Sequence, residues 1–397
     1  MAIKEQDDQL NYPMRGFSEA EFEQRTARAQ QLMRQSQLDA ILLTTEANFR
    51  YFTGFHSQFW ESPTRPWFVV VPLQGKPIAV IPEIGAVGMA STWVEEIRTW
   101  PSPQPEDDGV SLLANTLSAL ATRFGRVGAM LGHESHLRMP AKDFAKLRQL
   151  LGSKEIVDCN GLMKALRNIK SAEEIAKIRY ICQLTSRGFE HLPTLLRVGD
   201  TERQNCQRFR IDLLKRGADR SPYLVSASGQ GGYNDIIMGP TERILEPGDL
   251  MIIDTGTTYD GYFCDFDRNF AFVYADDASR RAYEVAYQAT DAGFAIAKPG
   301  MTTSDLWQAM WDVLEKGGAL SNDVGRMGHG LGMQLTELPS ITPTDNTPLL
   351  PGMVMTLEPG MTFVPGKQMV HEENIVITED GAEWLTRRAP ADLPIVE

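Results

Sequence analysis

The stretch DTGTTYDGYFCDFDRNF, residues 254–270, constrains the fold more than any other, because it sets Asp254, Asp260, Asp265 and Asp267 into a pattern that otherwise reads as two strands joined by a turn. Asp is normally depleted from strands, so the carboxylates need a reason to be there. DLMIIDTG reads as a buried strand that ends in a carboxylate and a turn glycine, and GYFCDFDRNFAFV reads as a second strand with two-residue alternation. Tyr262, Cys264, Phe266 and Phe270 share one face, and Asp265 and Asp267 share the other. Such a strand either lines a charged cavity with its apolar side on the core or turns a polar face to solvent.

The rest of the carboxyl half favours the cavity. MGHGLGMQ surrounds His329 with glycines that permit close approach of backbone or ligand. GMVMTLEPG ends a strand in Glu358 before a Pro-Gly turn, and MVHEENIVIT sets Glu372 and Glu373 into an apolar strand. If Asp254, Asp265, Glu358 and Glu372 converge, their negative charges cannot all persist in an interior without strong compensation. Two divalent cations would supply it, and carboxylates bridging metals about 3.5–4 Å apart turn the shared water into a hydroxide nucleophile near neutral pH.

Bulk properties are compatible with an enzyme of two domains. The chain has 397 residues, 42% of them hydrophobic, enough for two sizeable cores. A formal net charge of -13 argues against a sequence-independent grip on nucleic acid or on an anionic membrane. No run of about 18 apolar residues suggests a membrane span, and MAIKEQDDQLNY lacks the basic end and apolar run of a signal peptide, so a cytoplasmic location is expected. Cys159, Cys182, Cys206 and Cys264 are widely spaced, which suggests buried thiols and not a zinc knuckle or disulfide framework. Residues 18–36 read as a helix, DAILLT, PWFVVVP, PIAVIP and VGAMLG as short buried strands, and 111–123 and 140–151 as helices. This predicts an α/β amino-terminal domain over 1–165. From 166 to 397 the pattern begins with helices, including a capping-box candidate at Ser171 and Glu174, becomes strand-rich, and carries helices near 277–297 and 304–317.

Asp254, then Asp265 eleven positions on, GHGLG with His329, TLEPG with Glu358, and an acidic pair in an apolar strand together resemble the pita-bread metallopeptidase superfamily. The preceding domain and the stretch LRNIKSAEEIAKIR resemble its aminopeptidase P, prolidase and creatinase branch. The resemblance implies an α/β (α+β) chain in which a creatinase-like domain precedes a catalytic pita-bread domain. It also implies a dinuclear centre with Asp254, Asp265, His329, Glu358 and Glu372 as ligands. Asp265 and Glu372 would bridge, with Glu372 selected over Glu373 because the family's last ligand precedes another acid. Oxygen-rich ligation with one imidazole suits Mn, Fe, Co or Zn, with Mn preferred. Asp267 stands where relatives commonly carry Thr, and is expected to act as a hydrogen-bond acceptor beside the ligands or as an extra ligand.

The departures from that pattern concern proton transfer. The family's histidine seven positions after the ligand falls on Thr336, the one four positions before it on Gly325, and the one upstream of the first Asp near Met238. A Xaa-Pro dipeptidase or aminopeptidase P-like hydrolase of small peptides would then use Glu337 as acid or base, with Thr336 or Tyr233 donating hydrogen bonds. The alternative is the same dinuclear site working on another small molecule, as a C–N hydrolase or a dimethylsulfoniopropionate-type lyase. A metal-free creatinase-like enzyme and a non-catalytic relative are disfavoured by the intact ligand set. In the first domain, His56, Trp60 and Arg65 lie in FTGFHSQFWESPTRPWF, a stretch that either walls a substrate pocket or simply packs. The two-domain resemblance suggests a homodimer. His371 should point away from Glu372, and Arg268 should brace the sheet through a buried ion pair.

Overall fold

The computed structural model describes residues 12–323 and 325–397. The amino-terminal stretch considered for a leader falls outside them except for Tyr12. Two compact units divide the chain, one over Met14–Arg167 and the other over Asn168–Glu397, to which Tyr12 and Pro13 also belong.

In the first unit, helix α1 (Glu19–Ser36) begins at Ser18, whose hydroxyl accepts the Glu21 N–H at 3.3 Å, and leads into β1 (Ala40–Leu43) and α2 (Glu46–Thr53). The runs β2 (Phe68–Pro72) and β3 (Ile78–Pro82) are buried throughout, as expected of strands covered on both faces. Short helix α3 (Ala86–Met89), β4 (Glu96–Trp100), α4 (Val110–Ala119), β5 (Arg126–Ala129), α5 (Ala141–Leu151), β6 (Glu155–Asp158) and α6 (Asn160–Asn168) follow. The strands form one mixed sheet in the order β4-β3-β2-β1-β5-β6. Leu42, Val70 and Val80 of the sheet pack against Leu113 and Leu117 of α4 and Leu147 of α5. Helix α4 stops short of the expected 123 because the next segment is held as a turn. The Asp39 carboxylate accepts the N–H groups of Arg123, Phe124 and Gly125 at 2.9, 2.9 and 2.7 Å.

The second unit opens with α7 (Ala172–His191), whose expected capping box is formed by Ser171 and Glu174, and α8 (Glu202–Arg216). Strands β7 (Arg220–Gln230), β8 (Asp249–Tyr259), β9 (Tyr262–Phe263) and β10 (Phe266–Phe272) come next, then the long helices α9 (Asp277–Ile296) and α10 (Thr303–Lys316). The chain continues through β11 (His329–Gly330), β12 (Glu337–Ser340), β13 (Val354–Leu357), β14 (Gly360–Val364), β15 (Lys367–Val370), β16 (Glu373–Ile377), β17 (Ala382–Trp384) and β18 (Ile395–Val396). One sheet runs β18-β10-β8-β7 with β9 beside β8, a second runs β12-β11-β13-β16-β17, and β14 pairs with β15. Residues of α9 and α10, such as Ala286, Ala289, Met310 and Leu314, pack with Leu250 and Ile252 of the first sheet and Met355, Leu357 and Ile375 of the second in one core.

The second strand of the acidic hairpin is not continuous. It breaks at Cys264–Asp265 because a side chain takes over the ladder there. Asn374, from β16, accepts the Asp265 N–H on Oδ1 at 3.0 Å and donates from Nδ2 to the Asp265 carbonyl. A fully buried amide thus ties the two sheets together at the residue that carries the central carboxylate. Asn374→Ala strands both backbone groups and is expected to cost about 1–3 kcal/mol in urea denaturation.

Candidate metal centre

The acids meet because paired strands deliver them to one place. Asp254 on β8 is the Cα partner of Asp267 on β10, and Asp265 lies at the break just before β10. From the other sheet come His329 at the start of β11, Glu358 just beyond β13, and Glu372 just before β16. The His329 N–H is held by Thr356 Oγ1 at 3.0 Å. Gly328 makes this approach possible, since it sits at φ +134° with the Thr356 carbonyl where a Cβ would be. The His329 Nδ1 lies 2.9 Å from the Gly330 carbonyl, which can only accept, so the proton sits on Nδ1 and Nε2 faces Asp265 Oδ2 at 3.4 Å. One ligand atom each from Asp265, His329 and Glu372 falls within a mutual 4.8 Å.

The electrostatics are those of a cluster built for cations. Asp254 Oδ1, Asp265 Oδ1 and Glu372 Oε1 are sealed from solvent with no hydrogen-bond donor. Burial, joined by the Asp265 charge, pushes the Asp254 carboxyl well above the usual range, and burial does the same to Asp265 against the pull of Arg326. Glu372 is pushed up by burial and by Glu358, Asp265, Asp254 and Asp267. Glu358 rises to about 8 through burial and the Asp254 and Asp265 charges, with His329 opposing. Buried oxygens without donors, one imidazole with its lone pair turned inward and mutual repulsion that bound protons or cations relieve all fit hard divalent cations.

The description "Metallopeptidase family M24" matches residues 176–380. The chain belongs to metallopeptidase family M24. The first unit matches the creatinase/prolidase N-terminal domain over 25–169. The chain is 27% identical over 371 residues to a probable dipeptidase PepE of Mycobacterium tuberculosis, covering 93% of this chain and 95% of that one. It is 28% identical over 362 residues to an uncharacterized peptidase of Bacillus subtilis, covering 90% and 96%. The solved dipeptidase PepE of Mycobacterium ulcerans superposes with a TM-score of 0.83 at 26% identity over 96% of this chain and 99% of that one. A prolidase of Thermococcus sibiricus has the same fold, with a TM-score of 0.84 at 22% identity over 94% and 99%.

Within this M24 unit, the residues around the ligands sort themselves by their partners. Glu373 is taken up entirely by structure: Arg268 reaches Oε2 at 3.0 Å, Arg388 reaches Oε1 at 3.1 Å, and Thr386 and the Ala389 N–H add hydrogen bonds. Arg268 thus makes the expected buried ion pair, while Glu372 keeps an unpartnered oxygen. His371 points away, to Thr290 Oγ1 at 3.1 Å and the rings of Tyr283 and Tyr287, and burial, with Arg388 and Arg268 beside it, holds its pKa well below the usual imidazole range.

Two of the expected residues are held by structural partners. Lys170 Nζ lies 3.2 Å from Glu337 Oε2 in a buried ion pair, and the Gln334 N–H donates to Oε1 at 3.1 Å. Glu337 braces the turn carrying Thr336, which is half-buried just before β12. Tyr233 is 1% exposed, and its hydroxyl donates to Asn269 Oδ1 at 3.0 Å and accepts the Val370 N–H at 2.9 Å. In the first unit Trp60 packs among Phe49 and Trp67 with Arg138 over its ring, Arg65 bonds Ser102 at 3.0 Å, and His56 is half-exposed beside Glu46 and Arg50.

Two residues at the site escaped the sequence reading. Tyr223 on β7 pairs with Gly256, two residues along β8 from Asp254, and its hydroxyl lies close to the Asp254 carboxylate. Gly256 leaves room for this, because a Cβ there would meet Tyr223 and run into Leu335. Arg326 donates to Ser340 Oγ at 2.9 Å, and Ser340 is the strand partner of His329.

Two outcomes follow. For metal-free protein, a carboxyl raised from 4.5 to about 8 on folding, as at Glu358, stabilises the fold below the unfolded value and loses that contribution as pH rises through 8. Chelator-treated protein should therefore lose melting temperature between those pH values, and added manganese should remove most of the loss. Glu373→Gln leaves Arg268 and Arg388 short of a partner and should cost about 3–5 kcal/mol of stability, whereas Glu372→Gln should spare stability and empty the metal centre, as read by metal analysis.

Proposed function

We propose that this chain is a metal-dependent hydrolase of small peptides, acting as a Xaa-Pro dipeptidase or aminopeptidase P-like enzyme. The observation that carries the reading is the cluster of Asp265, His329 and Glu372, with Asp254 and Glu358 interacting with it and buried oxygens of Asp254, Asp265 and Glu372 lacking donors. The names of the relatives, dipeptidases and peptidases matched over nearly their whole lengths, support the peptide substrate. Two divalent cations held there would supply Lewis acidity to the attacking water and to the scissile carbonyl. Hard oxygen donors with one imidazole support manganese as the resident metal. A homodimer in the cytoplasm completes the reading.

The chain's own groups divide the remaining work. Asp265 and Glu372 hold the centre from two sheets, fixed by Asn374 and by neighbouring backbone. Glu358 is half-buried where Asp265 and Glu372 are sealed, so its carboxylate takes the proton from the attacking water and delivers it to the departing amine. The Tyr223 hydroxyl, close to Asp254, steadies that carboxylate. Arg326, anchored by Ser340, sets positive charge beside Asp265 and Glu358.

A second reading rests on the histidines. The chain has six, of which His191, His329 and His371 lie in this unit; His191 pairs with Asp212, His371 turns away, and only His329 joins the cluster. A site so poor in imidazole would suit a non-peptide amide or a lyase reaction. Proline release from a mixed set of Xaa-Pro dipeptides by manganese-loaded protein decides between them. Metal-dependent release, lost together with bound metal in Asp265→Asn, is the expected result. No release from protein shown to carry metal would overturn the peptidase reading and leave the second.

A further inference from the structure

Asp267 belongs to the cluster yet has no place in the five-residue ligand set. It is 1% exposed on β10, directly across from Asp254. Its two oxygens differ sharply in their surroundings. Oδ1 accepts the Glu372 N–H at 3.3 Å, whereas Oδ2 is sealed from solvent with no hydrogen-bond partner. The charges nearest it are repulsive, from Asp254 and Glu358, with Arg268 the attractive one. Arg268, however, spends its guanidinium elsewhere, on the carbonyls of Asp267, Glu372 and Arg387 and on Glu373 Oε2. The protein therefore offers Oδ2 nothing, and a buried carboxylate oxygen left without donor or counter-ion is a costly arrangement.

We propose that Asp267 is a sixth protein ligand of the metal centre, binding through Oδ2 while Oδ1 keeps Glu372 in register. The inference rests on the reading of Asp254, Asp265, His329, Glu358 and Glu372 as that centre. A further carboxylate adds negative charge to the ligand set, holds the cations more firmly, and favours hard, higher-coordinate ions over zinc.

Calorimetric titration of chelator-treated protein with manganese, and the visible spectrum of the cobalt-loaded protein, test this in wild type and Asp267→Asn. Asparagine retains an acceptor for the Glu372 N–H, so a purely positioning role survives the change, and it removes a buried charge, so the metal-free variant should melt no lower than wild type. The expected result is manganese affinity weaker by roughly tenfold or more at one site, with a shifted cobalt absorption band. Unchanged affinity, or weaker binding with an unchanged cobalt spectrum, would overturn the ligand role of Asp267 and leave the five-residue centre standing. Wild-type protein that binds no manganese would overturn the centre itself.

Discussion

Mutual repulsion among buried carboxylates is the constraint on which the rest of the second unit depends. Asp254, Asp265, Asp267 and Glu372 are each less than a tenth exposed, and Glu358 is half-buried. No isolated carboxylate survives in an apolar interior as an anion without compensation, and its proton or a cation must supply it. The surrounding structure is organised to tolerate this. Two sheets are tied together at Asn374, and several basic groups are bound elsewhere: Arg268 and Arg388 with Glu373, Lys170 with Glu337, and Lys177 with Asp260 at 2.8 Å. Most of these cations hold the frame, and Arg326 alone among the residues described above adds positive charge beside Asp265 and Glu358.

This separation explains why neighbouring acids behave differently. Glu372 and Glu373 are adjacent on the chain and both nearly inaccessible, but strand geometry sends them to opposite faces. Glu373 enters a network with two guanidinium groups, a hydroxyl and a backbone N–H, which fixes β16 against the chain after β17. Glu372 then inherits a position fixed on one side by that network and on the other by Asp267, whose Oδ1 takes its N–H. Stability and, in the proposed centre, metal binding thus fall to consecutive residues.

Much of this was legible in the sequence, for a physical reason. Buried acids on apolar strands are rare enough that Asp254, Asp265, Glu358 and Glu372 announce themselves, and a histidine among glycines completes the set. Helices α9 and α10 and the Ser171 capping box are local features and were read from local pattern. What escaped the reading depends on partners far away in the chain. Asn374 interrupts the acidic strand from 109 residues away, Lys170 captures Glu337 across 167 residues, and Tyr223 reaches Asp254 only because β7 pairs with β8 in one register. Tyr233 looked available from sequence because nothing there reveals that Asn269 and Val370 consume its hydroxyl.

The most direct test of the account is anomalous diffraction from crystals grown with manganese, recorded at the manganese edge. Two anomalous peaks enclosed by Asp254, Asp265, His329, Glu358 and Glu372 are predicted, with Glu373 still held by Arg268 and Arg388. An absence of anomalous density among these residues in protein saturated with manganese, or peaks lodged at another cluster, would contradict the claim that these carboxylates are buried to hold metal.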